Sequence, residues 1–85
     1  MTNTTITLTS KEMNVWNNGS LWQRAYIAYS HNAMHLFTES ELTELVQTVS
    51  EMNFIANMSD DWAVTRREVQ KNNTIAAIAR DILEQ

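Results

Sequence analysis

The most regular pattern in the chain is FTESELTELVQTVSEMNFIANM, residues 37–58. Its apolar residues recur at the three- and four-residue spacing of a helix, so they fall on one face. They are Leu42, Leu45, Val46, Val49, Met52 and Ala56. The opposite face carries glutamates, a glutamine and a threonine, which is typical of a helix half in water. The segment therefore predicts an amphipathic helix that packs against other parts of the chain.

Three capping boxes predict where helices begin. In this motif a serine or threonine oxygen accepts from the backbone N–H three residues later, and a glutamate or glutamine at that position bonds back. The pairs are Thr9 with Glu12, Ser20 with Gln23, and Thr38 with Glu41. They predict helices over about 10–17 and 21–35 and a third from Thr38, where Phe37 against Leu42 forms a hydrophobic staple.

The end of the first helix is marked by the only glycine of the chain, Gly19, which follows two asparagines. Glycine tolerates the left-handed conformation that commonly closes a helix. We expect Gly19 to adopt it, and the second helix to begin directly afterwards.

A fourth helix is predicted to start at residues 59–61, SDD, where acids would lie at the positive end of the helix dipole. Either one helix covers 60–84, or two helices meet at Asn72 and Asn73. The apolar residues of the two halves fall on different helix faces. The pattern therefore favours a break or kink at the asparagines.

These elements predict an all-α fold, a small bundle of four to five short helices in a single domain over residues 1–85. Residues 2–9, TNTTITLT, alternate threonine with apolar residues as a short strand does. Residues 1–9 are therefore interpreted as a frayed terminus, an extended arm, or an edge strand that pairs with another chain.

The composition narrows the class of function. The chain has 85 residues, no cysteine and a net charge of −4. Absence of cysteine excludes disulfides, thiolate metal ligands and cysteine nucleophiles, and the acidic balance disfavours non-specific nucleic-acid binding. We find no signal peptide and no apolar run of the roughly 20 residues that a membrane span needs. A cytoplasmic protein without a membrane partner is therefore expected.

The one pair with metal-ligand spacing is His31 and His35, which would share a helix face at i and i+4. Asn32 occupies the position where a zincin helix has its glutamate. Two further ligands are also missing, with Glu39 the nearest carboxylate. We therefore predict no metal site and no cofactor.

Catalysis has no candidate residue in this sequence. Serines and threonines are plentiful, but no nucleophile elbow or assignable base accompanies them. The glutamates of the 37–58 helix look like a solvated face, and a single glycine excludes a glycine-rich phosphate loop. The chain is therefore not expected to be an enzyme.

Arg66, Arg67 and Lys71 form the only basic cluster. On a short helix they have the form of a recognition helix in a helix-turn-helix regulator, which reads DNA in the major groove. Neighbouring acids would repel phosphate, so this is the alternative function and a solvated face is the simpler interpretation.

Surplus apolar residues are the leading functional signal. Phe54, Ile55 and Met58 lie off the apolar stripe of the 37–58 helix, and Trp62 follows soon after. A second candidate patch is formed by Ile27 and Met34, one heptad apart on the predicted second helix. Methionine and aromatic residues are enriched at adaptable binding surfaces, although apolar residues at helical spacing also form cores.

We therefore expect a small non-enzymatic interaction module that binds and regulates or inhibits another protein, or that self-associates, through these residues. The small, acidic, Asn- and Thr-rich, cysteine-free composition resembles that of many phage-encoded or mobile-element accessory proteins. This resemblance lies in composition alone and assigns no residue a role.

Overall fold

The computed structural model describes residues 7–85. Its elements are α1 (Ser10–Asn18), α2 (Leu21–Ser30), a 3-10 helix (Met34–Leu36), α3 (Glu39–Ala56) and α4 (Trp62–Leu83). No strand occurs among these described residues, and the predicted all-α class is confirmed. The predicted arm or strand falls largely on residues 1–6, outside the described part, and stays a prediction.

The contacts divide the chain into two compact units, with the boundary between Thr38 and Glu39. The first unit contains α1, α2 and the 3-10 helix, and the second contains α3 and α4. The single domain over residues 1–85 stays a prediction, as does the capping box across this boundary.

The starts of α1 and α2 follow the predicted capping boxes. Thr9 Oγ1 accepts from the Glu12 N–H at 3.1 Å, and the Thr9 N–H donates to Glu12 Oε1 at 3.0 Å. Ser20 and Gln23 make the same two bonds at 3.3 and 2.9 Å. Each box satisfies backbone donors that a helix start otherwise leaves open, so these two predictions are confirmed.

Gly19 ends α1 in a different way from the one predicted. Its φ is −83° and its ψ is 171°, an extended conformation that other residues also adopt, so the expected left-handed cap is wrong. Space explains the glycine instead. A Cβ at this position would lie 2.5 Å from the Val15 carbonyl oxygen and 2.9 Å from Gln23 Oε1, the atom that completes the second capping box.

The second helix is shorter than predicted. It ends at Ser30, and the sharp change of direction comes at Asn32, where φ is +59°. Asparagine tolerates this left-handed region better than most residues. The Ala33 N–H then bonds back to the Ala28 oxygen at 2.7 Å. The predicted continuation of the helix to residue 35 is wrong.

The second unit is an antiparallel helical hairpin. The Ala56 carbonyl oxygen, at the end of α3, accepts from Thr65 Oγ1 in the first turn of α4 at 3.0 Å. Earlier on α3, Asn53 Oδ1 accepts from Asn72 Nδ2, which lies further along α4. All six residues of the predicted α3 stripe are buried or half-buried, with Leu45 fully inaccessible. The periodicity therefore identified the face of α3 correctly.

α4 is one continuous helix, so the predicted break or kink at Asn72 and Asn73 is wrong. Asn72 is 1% exposed, and its Nδ2 donates to Asn53 Oδ1 at 3.1 Å. Asn53 Nδ2 in turn donates to Asn73 Oδ1 at 2.9 Å. Both asparagine side chains bond to Asn53 of α3, and these bonds across the hairpin offset the tendency of asparagine to interrupt a helix.

The last turn of α3 carries Phe54 and Ile55, which lie off its apolar stripe. The helix runs to Ala56, and both side chains are exposed. This uncovered last turn places the candidate site at the connection between α3 and α4.

Candidate functional site

Large apolar side chains are concentrated at the α3–α4 connection. We call Phe54, Ile55, Met58 and Trp62 the hairpin tip. Their exposed fractions are 61%, 59%, 70% and 72%. Isolated exposed apolar residues are ordinary on protein surfaces, but a cluster of large ones marks a site of interaction. The four candidate residues lie within nine consecutive positions of the sequence, and all four side chains are exposed to solvent in the structure.

The exposure of Phe54 and Ile55 follows from their positions around the axis of α3. With 3.6 residues per turn, Phe54 and Ile55 lie on the side of the helix opposite to its buried stripe. The same outer side carries the exposed Gln47 and Glu51 in the preceding turns. The outer face of α3 therefore changes from polar to apolar in its last turn, and that change is confined to the tip.

Backbone hydrogen bonds order the connection. The Met58 N–H donates to the Ile55 oxygen at 3.1 Å, and the Ser59 N–H donates to the Ala56 oxygen at 3.2 Å. Ser59 Oγ accepts from the Asp61 N–H at 3.2 Å. These bonds give the backbone of the connection a defined conformation.

The start of α4 is fixed by Asp61. One carboxylate oxygen, Oδ1, accepts from the Ala63 and Val64 N–H groups at 3.0 and 3.2 Å. The predicted helix start at residues 59–61 is thereby confirmed. This cap fixes the backbone at the start of α4, whose first residue is Trp62 of the tip.

Arg66 packs on the tip. Its guanidinium carbon lies 5.4 Å from the centroid of the Trp62 ring, within the range of a cation–π interaction. The contact joins residues one helical turn apart on α4, and it places a positive charge against the face of the exposed ring.

Comparison with family models, curated proteins and solved structures adds no relative. No family model, curated protein or solved structure matches this chain. Any functional assignment must therefore come from the residues and geometry of the chain itself.

The second predicted patch is not supported by the geometry. Ile27 lies on α2 and is half-buried, whereas Met34 belongs to the 3-10 helix and is 4% exposed. The two residues do not share a helix face, because α2 has already ended at Ser30. The premise of a heptad-spaced pair was wrong, and the pair offers little apolar surface.

The basic cluster lies on α4. Arg66, Arg67 and Lys71 are all exposed. On a helix with 3.6 residues per turn, however, Arg66 lies well to the side of Lys71. The cluster therefore does not form one narrow stripe for a groove, and the DNA-binding role stays a prediction.

The two histidines are separated by the early end of α2. His31 is the C-terminal cap residue of α2, and His35 lies in the 3-10 helix, so the predicted shared helix face is wrong. Over residues 7–85 no group of three or more potential ligands is arranged to hold a metal ion.

His31 instead contacts α1. Its Nε2 lies 3.2 Å from Glu12 Oε2, while the other Glu12 oxygen accepts from the Thr9 N–H. The Thr9 backbone N–H and then the His31 ring lower the pKa of the Glu12 carboxyl. The contact ties the start of α1 to the end of α2.

Sequence reasoning did not single out one large apolar residue that is exposed in the described part of the chain. Met13, on α1, is 51% exposed. The Trp16 ring does pack, with its centroid 5.7 Å from that of Phe37. The spacing of the two residues carried no signal that distinguishes them.

The described helices were also compared with the requirements of a membrane-spanning helix. Across the described part of the chain, none of the helices combines the length and the apolar character that crossing a bilayer requires.

Proposed function

We propose that this chain is a non-enzymatic protein-interaction module that acts in the cytoplasm and docks through the hairpin tip. One observation carries the proposal: Phe54, Ile55, Met58 and Trp62 are 59–72% exposed on a connection that is fixed by its own hydrogen bonds. Leaving such groups in water forgoes about 1.5–3 kcal/mol for each large side chain that could be fully buried. Covering them against another surface recovers part of that free energy.

The chemistry of the tip supports a protein partner. Two aromatic rings supply large, stiff contact area, while the methionine adapts its shape to an irregular surface. The charged groups beside the tip would form the polar rim that surrounds the apolar centre of an interface. Regulation or inhibition of the partner, as in accessory proteins of similar composition, is the mode of action that we propose.

The test removes the side chains of the tip without disturbing the hairpin. We expect Phe54→Ala with Met58→Ala to lose partner capture, because both side chains face solvent and belong to the apolar centre. Far-UV circular dichroism and urea unfolding should match those of the unchanged protein. Met13→Ala is the matched control, since it removes a methionine of similar exposure on α1.

Partner capture is measured by replacing the exposed Asn57, in the same connection, with a photo-reactive benzophenone amino acid in the source cells. The unchanged protein and the double alanine variant can both carry this crosslinker. The proposal expects a discrete crosslinked protein, which is either a foreign partner or a second copy of the chain. Absence of any crosslink at position 57, or equal capture by the double alanine variant, would overturn it. Unfolding of the double variant would show that these residues are structural.

DNA binding is the alternative function, and its detection would contradict the proposed docking function. Arg66 and Arg67 are exposed and make no ion pair within residues 7–85, which is the observation in favour of a regulator of transcription. Such a protein would bind random duplex DNA with an affinity that falls steeply as salt is added. A protein-docking module binds no duplex at any salt concentration.

A further inference from the structure

The end of α1 carries the only Asn-Gly pair of the chain, Asn18 followed by the single glycine, Gly19. An asparagine side chain can react with the backbone nitrogen of the residue that follows it. Glycine at that position presents the least steric obstacle to this approach, because it has no Cβ. Asn18 is exposed to solvent, so water and hydroxide reach its amide. The pair therefore has the chemistry of a deamidation site.

The reaction consumes only water. Hydroxide removes the proton from the Gly19 nitrogen, which attacks Asn18 Cγ. A C–N bond forms, the Cγ–Nδ2 bond breaks, and the amide nitrogen takes up a proton from water and leaves as ammonia. Water then adds to one of the two carbonyl carbons of the succinimide ring and breaks its bond to the Gly19 nitrogen, which is reprotonated. Cleavage at Cγ gives aspartate, and cleavage at the main-chain carbonyl carbon gives isoaspartate, whose backbone is one atom longer.

The folded end of α1 restrains both reacting groups. The Gly19 N–H donates to the Val15 oxygen at 2.6 Å, so this nitrogen keeps its proton while the bond is made. Asn18 Nδ2 donates to the Asn14 backbone oxygen and to Asn14 Oδ1, both at 3.1 Å. These bonds hold the side-chain amide against the preceding turn of α1. Attack therefore requires that the last turn of the helix open first.

The last turn of α1 opens readily because the helix is weakly anchored. It has nine residues, all described in the structure, and none of them is buried. By contrast, α4 carries four buried residues. A helix as short as α1 is marginal without tertiary packing, and segments with few buried apolar contacts open locally at a lower free energy than global unfolding requires.

We propose that Asn18 is the preferred deamidation site of this chain and that local opening of α1 sets the rate of its reaction. Isoaspartate would lengthen the backbone at a crowded junction, where even a Cβ at Gly19 would lie 2.5 Å from the Val15 oxygen. Either product also places a negative charge at the C-terminal end of α1, where the helix dipole disfavours it. The modification thus converts a reversible opening of α1 into a lasting one.

Peptide mapping by mass spectrometry tests the site after incubation of the full chain at neutral and mildly alkaline pH. Asn18 should react before Asn17 and Asn57, which are also exposed but are followed by larger residues. Enzymatic methylation of the isoaspartate carboxylate distinguishes that product from aspartate. Asn18→Gln should abolish the reaction at this position, because a glutamine must close a larger ring. Equal rates at residues 17, 18 and 57 would overturn the assignment.

Thr9→Ala tests the control by α1 without altering the reacting pair. It removes the side chain that caps the start of the helix, so deamidation of Asn18 should accelerate about fivefold, the factor that corresponds to a typical N-cap loss of about 1 kcal/mol. Thr9→Ser retains the capping hydroxyl and is the matched control. The unchanged chain unfolded in urea should react faster than either folded variant.

Two results would contradict the control of the rate by α1. One is equal deamidation of Asn18 in the Thr9→Ala and Thr9→Ser chains. The other is a rate in urea no higher than that of the folded protein, which would show that the bonds to Val15 and Asn14 do not restrain the reaction.

Discussion

The buried asparagine between α3 and α4 gives the sharpest test of the fold. Asn72 is 1% exposed and donates to Asn53 Oδ1 at 3.1 Å. The neighbouring Asn73 is exposed and accepts from Asn53 Nδ2 at 2.9 Å. Replacing each by alanine therefore compares the same chemical change at adjacent positions of one helix.

The magnitudes follow from burial. Asn72→Ala removes an interhelical hydrogen bond and leaves a small void, which together cost about 1.5–2.5 kcal/mol. The higher helix propensity of alanine returns about 0.5 kcal/mol. We expect a net loss of about 1–2 kcal/mol at Asn72. At Asn73 the lost bond is replaced by water, so the expected change in unfolding free energy is within about 0.5 kcal/mol of zero.

Urea unfolding followed by far-UV circular dichroism measures both variants under identical conditions. A loss of about 1–2 kcal/mol corresponds to a fall in Tm of roughly 5–15 °C in a chain of this size. If Asn72→Ala is no more destabilising than Asn73→Ala, the buried amide bridge does not hold the two helices together, and the explanation for the continuous α4 fails.

Three further changes test other parts of the structure. Gly19→Ala should destabilise the first unit by about 1–3 kcal/mol in urea unfolding, because the new Cβ would meet the Val15 carbonyl oxygen at 2.5 Å; unchanged stability would show that the turn has room to relax. Thr65→Val should cost about 1 kcal/mol by the same measurement, since it removes the bond to the Ala56 oxygen, and Thr65→Ser, which keeps the hydroxyl, is its control. Glu12 has a lowered pKa in the folded chain, so the ionised carboxylate stabilises the fold above the unfolded pKa, and this stabilisation is lost as the pH falls through the lower folded pKa. Glu12→Gln should reduce the fall in Tm at acid pH in a series of Tm measurements. An unchanged dependence of Tm on pH would contradict the contact with Thr9 and His31.

The helix starts were predictable because capping is local. Thr9 with Glu12, and Ser20 with Gln23, bond to groups only three residues away, so their spacing in the sequence contains the whole interaction. The α3 stripe was predictable for a similar reason, since its spacing alone defines the buried face.

The errors arose where the spacing of residue types does not reveal the contact or backbone conformation that decides the outcome. Asn72 interrupts a helical pattern when it is considered alone, but its partner Asn53 lies 19 residues earlier in the chain. The end of α2 depends on Asn32 adopting a positive φ, while the apolar spacing continued beyond that point. Gly19 correctly predicted the end of α1, but the predicted left-handed conformation was wrong. The glycine is needed because a Cβ would clash with Val15 and Gln23, and this clash becomes apparent only from the folded structure.

The candidate site was only partly readable from the sequence. Phe54, Ile55 and Met58 were identified because they lie off the α3 stripe, but periodicity does not reveal whether another element covers such residues. In the structure they are exposed. The same reasoning failed for Met34, which is buried, because the helix on which it was placed ends earlier.

The decisive measurement is hydroxyl-radical footprinting of methionine and tryptophan side chains in dilute protein. Met58 is 70% exposed and Met34 is 4% exposed, which gives an internal comparison between two residues of the same type. We predict rapid labelling of Met58 and Trp62 and slow labelling of Met34, with protection of the first two once a partner or a second copy is bound. Labelling of Met58 as slow as that of Met34 in the dilute chain would contradict the existence of an open apolar tip.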